Sequence, residues 1–201
     1  MTINIVISLL FFILSLIPLK LGFEKKGFVK NNKFTLALIL TFSTAFFLRL
    51  WLGFNTEGFV TDLNTFKAWG SNMTELGAIN IYNRGTFVDY PPGYLYILGF
   101  LDRIRRFFEI ELYSIEYTFM IKLPSILSDM ACSFIIYFIG KKKVGEINSL
   151  IAAALYLFCP AVLINSAVWG QADSFTALIL LISVIFLYNE KIFLAALFSA
   201  S

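Results

Sequence analysis

Apolar residues fall in long blocks along this chain, separated by short clusters of charge. Five blocks reach or approach the length of a membrane-crossing helix: 3–19, 34–53, 117–140, 147–168 and 175–188. A helix needs about 20 mainly apolar residues to cross the hydrocarbon layer, and only helices and closed barrels satisfy their own backbone there. A sixth apolar run begins at Ile192 and is cut off at Ser201. The pattern therefore predicts an all-α, polytopic membrane protein with about five complete spans and a truncated sixth. Residues 1–201 are expected to be the N-terminal part of one membrane-embedded domain in a longer protein.

Charge placement orients the blocks. Lys20, Lys25, Lys26, Lys30 and Lys33 crowd the linker after the first block, and Lys141, Lys142 and Lys143 follow the third. By the positive-inside rule both clusters are cytoplasmic. The N-terminus and the long polar stretch 54–116 are then extracytoplasmic, in a cell-membrane protein with several spans. No Lys or Arg precedes the first block and no small-residue cleavage pattern follows it, so it reads as an uncleaved span. Within the outer stretch, 90–101 is apolar but too short to cross. Ile97, Leu98, Leu101, Ile104 and Phe108 share one helical stripe, as do Leu63, Phe66, Gly70, Met73 and Leu76 over 62–77. Two amphipathic helices lying on the membrane are expected there.

Composition narrows the chemistry. Hydrophobic residues make up 59% of the chain and charged ones 14%, against about 25% charged in soluble proteins, and the mean hydropathy is +0.80. A soluble enzyme is excluded. The chain has no His, which removes imidazole catalysis and His-ligated zinc. Acid–base work falls to Asp, Glu, Lys or Tyr. Cys132 and Cys159 lie singly in apolar blocks and read as packing residues. The net charge of +3 comes from the cytoplasmic lysines, so no nucleic-acid partner is expected; membrane lipid is.

Four polar strings could carry chemistry. Asp62, at the start of the first outer helix, suits an N-cap, or a general base at the membrane face. Asp89-Tyr90-Pro91-Pro92-Gly93-Tyr94 suits a helix start anchored by tyrosines at headgroup depth, or the wall of a sugar site. Lys122 and Asp129 share a face of the third block. An Asp inside a membrane costs roughly 2.5–3.5 kcal/mol on insertion scales and is a functional candidate by default, though an interhelical hydrogen bond would also account for it. Lys122 could snorkel to the surface or hold a lipid phosphate. Finally, Asn165 through Ser174 packs Trp169, Gln171 and Asp173 into a short turn in which Asp173 or Ser174 could cap the fifth block. All of these lie on the outer side, which points to an outward-facing site.

Thr61-Asp62-Leu63-Asn64-Thr65-Phe66 with Trp69, then Asp89-Tyr90-Pro91-Pro92-Gly93-Tyr94, Lys122-Leu123-Pro124-Ser125 with Asp129, and Trp169-Gly170-Gln171-Ala172-Asp173 stand in an order that resembles the type C glycosyltransferase superfamily. The likeness is to bacterial proteins related to the second mannosyltransferase of glycosylphosphatidylinositol synthesis. It implies an outer loop with membrane-lying helices, a catalytic acidic residue, a polyprenyl-phosphate sugar as donor and co-substrate, and inversion at the anomeric carbon. By this resemblance Asp62 is the base. Asn64, Trp69, Asp89, Tyr90, Tyr94, Lys122, Asp129, Trp169, Gln171 and Asp173 form the substrate site. Lys122, Arg103 and Arg105 are expected at the lipid phosphate. The acceptor is not specified. Asp62-x-Asn64 stands where the superfamily has a paired-acid motif, which leaves a divalent metal open. The competing reading is a transporter or lipid flippase, in which Lys122 and Asp129 line a route and Pro124 and Pro160 break helices around it; a structural membrane subunit is the third.

Overall fold

The computed structural model describes residues 32–82 and 87–199, so the expected span 3–19 lies outside the described residues. The described residues are helical, without strands. We number the helices α1 (Asn32–Phe54), α2 (Val60–Leu76), α3 (Pro92–Phe107), α4 (Ile115–Val144), α5 (Glu146–Leu157), α6 (Pro160–Trp169), α7 (Asp173–Tyr188) and α8 (Ile192–Ser199).

Two helices are long and apolar enough to cross a membrane, Phe34–Phe54 of α1 and the whole of α4. The expected block 147–168 is not one straight span. It breaks between α5 and α6 with a bend of 49°: Pro160, at the first turn of α6, lacks the N–H that would continue the ladder. The block 175–188 becomes α7, 16 residues long, which rises only about 24 Å against a hydrocarbon layer of about 30 Å. Of the four expected spans that fall within the described residues, two are long helices, one is a bent pair and one is a helix of only 16 residues.

The segment 54–116, expected on the outer side, does form two helices, α2 and α3, but their stripes are not turned to lipid. Leu63, Phe66, Gly70 and Met73 of α2 are buried, together with Leu98 and Leu101 of α3 and Tyr117 and Ile121 of α4. The two helices hide these faces against each other and against the first turns of α4. Each can then show water or lipid its other side, where Tyr96, Phe100 and Phe107 of α3 are exposed. A second core lies within the apolar bundle: Phe42, Ala45, Leu48 and Leu52 of α1 meet Ile126 and Met130 of α4 and Leu157 of α5. The α2–α3 layer sits at the Tyr117 end of α4, with Lys141, Lys142 and Lys143 in its last turn.

Candidate functional site

Asp62 is the third residue of α2, whose N-cap is Phe59 and has no side-chain capping bond. The capping role expected for Asp62 is therefore not the one it plays. Its half-buried carboxylate faces the segment after α6. Gln171 Nε2 and Trp169 Nε1 both donate to Asp62 Oδ2, the latter at 3.4 Å. Oδ1 receives no donor among the described residues.

The local backbone explains how a turn 107 positions away reaches Asp62. The last six residues of α6, Ile164–Trp169, form a widened π-helical turn, a form frequent at functional sites. It closes with Gly170 N and Gln171 N both donating to Asn165 O, at 3.0 and 3.1 Å. Gly170 has φ +91°, and a Cβ there would lie 2.8 Å from Leu63 Cδ2 and 3.2 Å from Lys122 Cγ. Across from it Gly58, φ +78°, leaves room for Trp169 O, which a Cβ would approach to 2.8 Å. Phe59 N then donates to Trp169 O at 3.0 Å, and the Phe59 ring packs on the Trp169 ring with centroids 5.3 Å apart. Ser125 of α4 fixes the other side by donating to Gln171 O at 2.6 Å.

Tyr90 joins this group from the loop before α3. Its ring contacts Phe66, Trp69 and Tyr94 at 5.4–5.7 Å. Burial raises its hydroxyl above the ordinary tyrosine value, and the charges of Asp173, Asp89 and Asp62 raise it further. Three of the four expected carboxylates thus surround one phenol. Asp89 and Asp173 are exposed. Asp173 accepts from Asn165 Nδ2 at 3.0 Å and makes no capping bond, the N-cap of α7 being Ala172. Trp69 and Tyr94 are buried, and the Trp69 indole donates to Phe87 O at 2.8 Å, so both act as the wall behind Tyr90. A hollow of about 470 Å³ opens against Trp169, lined by Thr56, Glu57, Gly58 and Phe59.

The other expected site residues go elsewhere. Asn64 lies on the opposite side of α2 from Asp62, because residues two apart on a helix do not face each other, and it lines a separate hollow with Lys67. Among the described residues no group of three or more Asp, Glu or Cys side chains is placed to hold a metal ion. Lys122 is fully buried and does not snorkel. Its Nζ donates to Gly53 O, Thr56 O and Thr56 Oγ1 at 3.2, 2.7 and 3.0 Å, tying off the end of α1. With three donors and three acceptors, it has none left for a lipid phosphate. Arg105 is committed to Asp102 Oδ1 at 2.8 Å and Ile110 O at 2.9 Å, whereas Arg103 is exposed. Asp129 is buried deep in the bundle, apart from the Asp62 group. It accepts from Arg49 Nε at 3.2 Å, Ser166 Oγ at 2.5 Å and Tyr156 Oη at 3.3 Å.

Sequence reasoning passed over Arg49, Lys67 and Ser125. Arg49 is the only charge within the block 34–53, a signal that an opposite charge must meet it in a neighbouring span. Lys67 sits at helical spacing between Leu63 and Gly70 on the apolar stripe of α2, where an ammonium has no reason to be unless something there needs it. Ser125 gave no signal beyond its place in the string that begins at Lys122. Comparison with protein-family models, with curated proteins and with solved structures finds no match to this chain.

Proposed function

We propose that this chain works as a membrane-embedded glycosyltransferase of the cell membrane, with several spans and its α2–α3 layer extracytoplasmic. It moves a mannose-like hexose from a polyprenyl phosphate to an acceptor hydroxyl. The supporting observation is the convergence on Asp62. Strings spread over more than a hundred positions contribute a carboxylate, its two donors Trp169 and Gln171, the surrounding Tyr90, and the Ser125 that holds Gln171 in place. A merely structural turn needs no such gathering of polar groups at a half-open surface.

In the reaction Asp62 Oδ1 accepts the proton of the acceptor hydroxyl as its oxygen bonds to the anomeric carbon. The bond from that carbon to the phosphate oxygen breaks, and the electron pair leaves with the polyprenyl phosphate. The bonds from Trp169 and Gln171 hold the other carboxylate oxygen, so that Oδ1 is presented without the entropy cost of a free side chain. The aromatic faces of Trp169 and Tyr90 suit the apolar side of a sugar ring. A transport route lined by Lys122 and Asp129 has less support, since both are fully buried and held by protein groups.

Asn keeps an acceptor oxygen for Trp169 and Gln171 but not the charge that strengthens their bonds, so Asp62→Asn is expected to lower the melting temperature by only a few degrees. Transfer of hexose from a polyprenyl phosphate in proteoliposomes should fall roughly 100-fold or more. Full turnover in that variant would remove Asp62 from the reaction.

A further inference from the structure

Two lysines at the outer end of the bundle are buried without a carboxylate partner. Among the described residues the ion pairs engage Arg49, Arg105, Arg106 and Lys141, and neither Lys67 nor Lys122 takes part. Burying an unpaired charge is costly. For Lys122 the three carbonyl and hydroxyl oxygens described above are partial compensation. Lys67, only 4% exposed, has less. Its Nζ donates to Thr118 Oγ1 at 2.7 Å and lies 5.8 Å from the centre of the Tyr113 ring. Thr118 donates its own hydroxyl hydrogen bond to Ser114 O at 2.9 Å, so toward Lys67 it is fixed as an acceptor that aims the ammonium group. An ammonium carries three donors, and no other acceptor meets Lys67 among the described residues. Burial pushes Lys67 below the ordinary lysine value, and its charge is near enough to repel that of Lys122.

Lys67 lines a hollow of about 330 Å³, with Asn64, Leu63, Val60, Tyr113 and Glu57 among its other walls. The space is large enough for a phosphate group and the first carbons of its substituent. Asn64 Nδ2 brings a neutral donor, and Val60, Leu63 and Tyr113 bring an apolar side. Glu57 is exposed, where water screens it. It also borders the hollow beside Trp169, so the two spaces adjoin at this residue.

We propose that this hollow is a binding site for a phosphate ester, with Lys67 as its cationic ligand, Asn64 as its neutral donor and Thr118 as the residue that positions Lys67. A bound phosphate supplies the counter-charge that the fold itself withholds. On the glycosyltransferase reading it is a phosphate site beside the reaction and not at it, since Asn64 lies on the opposite side of α2 from Asp62. As an anion site it is tested by binding alone.

The test uses the full chain in a neutral detergent at pH 7, titrated calorimetrically with dodecyl phosphate and, separately, with inorganic phosphate. Wild type and Lys67→Arg are expected to bind dodecyl phosphate, and Lys67→Gln to bind it at least tenfold more weakly with an unchanged or higher melting temperature. Asn64→Leu leaves the ammonium group in place and should weaken binding about threefold, which supplies the answer if Lys67→Gln does not fold. Dodecyl phosphate binding with little response to inorganic phosphate identifies a lipid-borne ester; equal binding of both identifies free phosphate. Unchanged affinity in Lys67→Gln and Asn64→Leu, or no binding by wild type at millimolar ligand, overturns the site. Asp62→Asn should bind dodecyl phosphate normally, so loss of transfer and loss of this site are read separately.

Discussion

Arg49 of α1 and Asp129 of α4 form an ion pair with Nε and Oδ2 3.2 Å apart and neither side chain exposed. The pair sits within the apolar bundle, where each charge alone would be very costly. Ser166 and Tyr156 add donors to the carboxylate from the α5–α6 side, so one acid ties together the two long helices and the bent segment. Removing a single partner of a buried pair typically costs about 3–5 kcal/mol, whereas replacing both by apolar groups is often neutral. Arg49→Met should therefore lower the thermal midpoint in detergent sharply, and Arg49→Met with Asp129→Leu should recover most of the loss. A double variant as unstable as the single one would mean that Asp129 matters for Ser166 and Tyr156 rather than for Arg49.

The placement of α2 and α3 at one end of α4 makes orientation testable. Tyr117 packs in the α2–α3 layer, and Lys141 lies 24 positions further along the same helix, a rise of about 36 Å. That distance exceeds the hydrocarbon thickness of about 30 Å, so on the proposed membrane reading the two ends face opposite sides. Asp89 and Lys142 are both exposed. A cysteine at Asp89 is expected to react with an impermeant maleimide on intact cells, and a cysteine at Lys142 only after permeabilisation. Reaction of both from the same side would end the outward-facing reading of Asp62.

Helix positions were largely legible from hydrophobic spacing, because the stripe over 62–77 falls within two residues of α2 and the run and stripe from Tyr90 to Phe108 fall within two residues of α3. What the stripes pack against was not legible. Leu63, Phe66 and Met73 could have met lipid as well as protein, and only the mutual burial of α2, α3 and α4 decides between them. The break at Pro160 was visible as a proline, but the π-helical turn that follows leaves no distinct composition. The motifs holding Asp62 and Gln171 stood out individually. That Gln171 supplies a donor to Asp62 is a relation across 109 positions, which a single sequence does not encode in any local pattern. The same holds for Arg49, whose need for a partner was readable but not the identity of Asp129.

Acid should loosen the α2–α3 layer. Asp102 accepts from Arg105 Nε and Arg106 Nε at 2.8 and 2.7 Å, and Arg106 also reaches Glu75 at 2.6 Å. Burial alone would raise the Asp102 carboxyl, but the bonds from Arg105, Arg106 and Thr74 outweigh it and hold the group below the ordinary aspartate value. The hydrogen bond and charge of Arg106 hold Glu75 down in the same sense. A carboxyl depressed in the folded state adds stability that is full above its unfolded value, about 3.9 for Asp. That stability disappears as pH falls through the folded value. Thermal midpoints are thus expected to be flat from about pH 7 to pH 5 and to fall below about pH 4. Asp102→Asn should start lower and show a shallower acid limb. An identical acid limb in Asp102→Asn would assign the effect to other groups.

Gly170 is the position where the site should be most sensitive to one added methyl group. Its φ of +91° lies in the left-handed region, where a side-chain-bearing residue costs on the order of 1–2 kcal/mol. A Cβ would also press on Leu63 Cδ2 at 2.8 Å, and Leu63 follows Asp62 directly on α2. Gly170→Ala is therefore expected to push α2 and the Trp169–Gln171 segment apart. The midpoint should drop by several degrees, and the donors on Asp62 Oδ2 should be lost together. Trp169→Phe and Gln171→Leu each remove one donor while leaving the backbone alone, and a lost bond to a charged group is worth about 1.5–3 kcal/mol. If both donors position the base, each single variant should lower hexose transfer about tenfold and lower the midpoint by a few degrees. Gly170→Ala should then match or exceed their combined loss. Normal transfer in Trp169→Phe and Gln171→Leu, beside a strong loss in Gly170→Ala, would reduce Gly170 to a folding requirement and leave Asp62 without the support proposed for it.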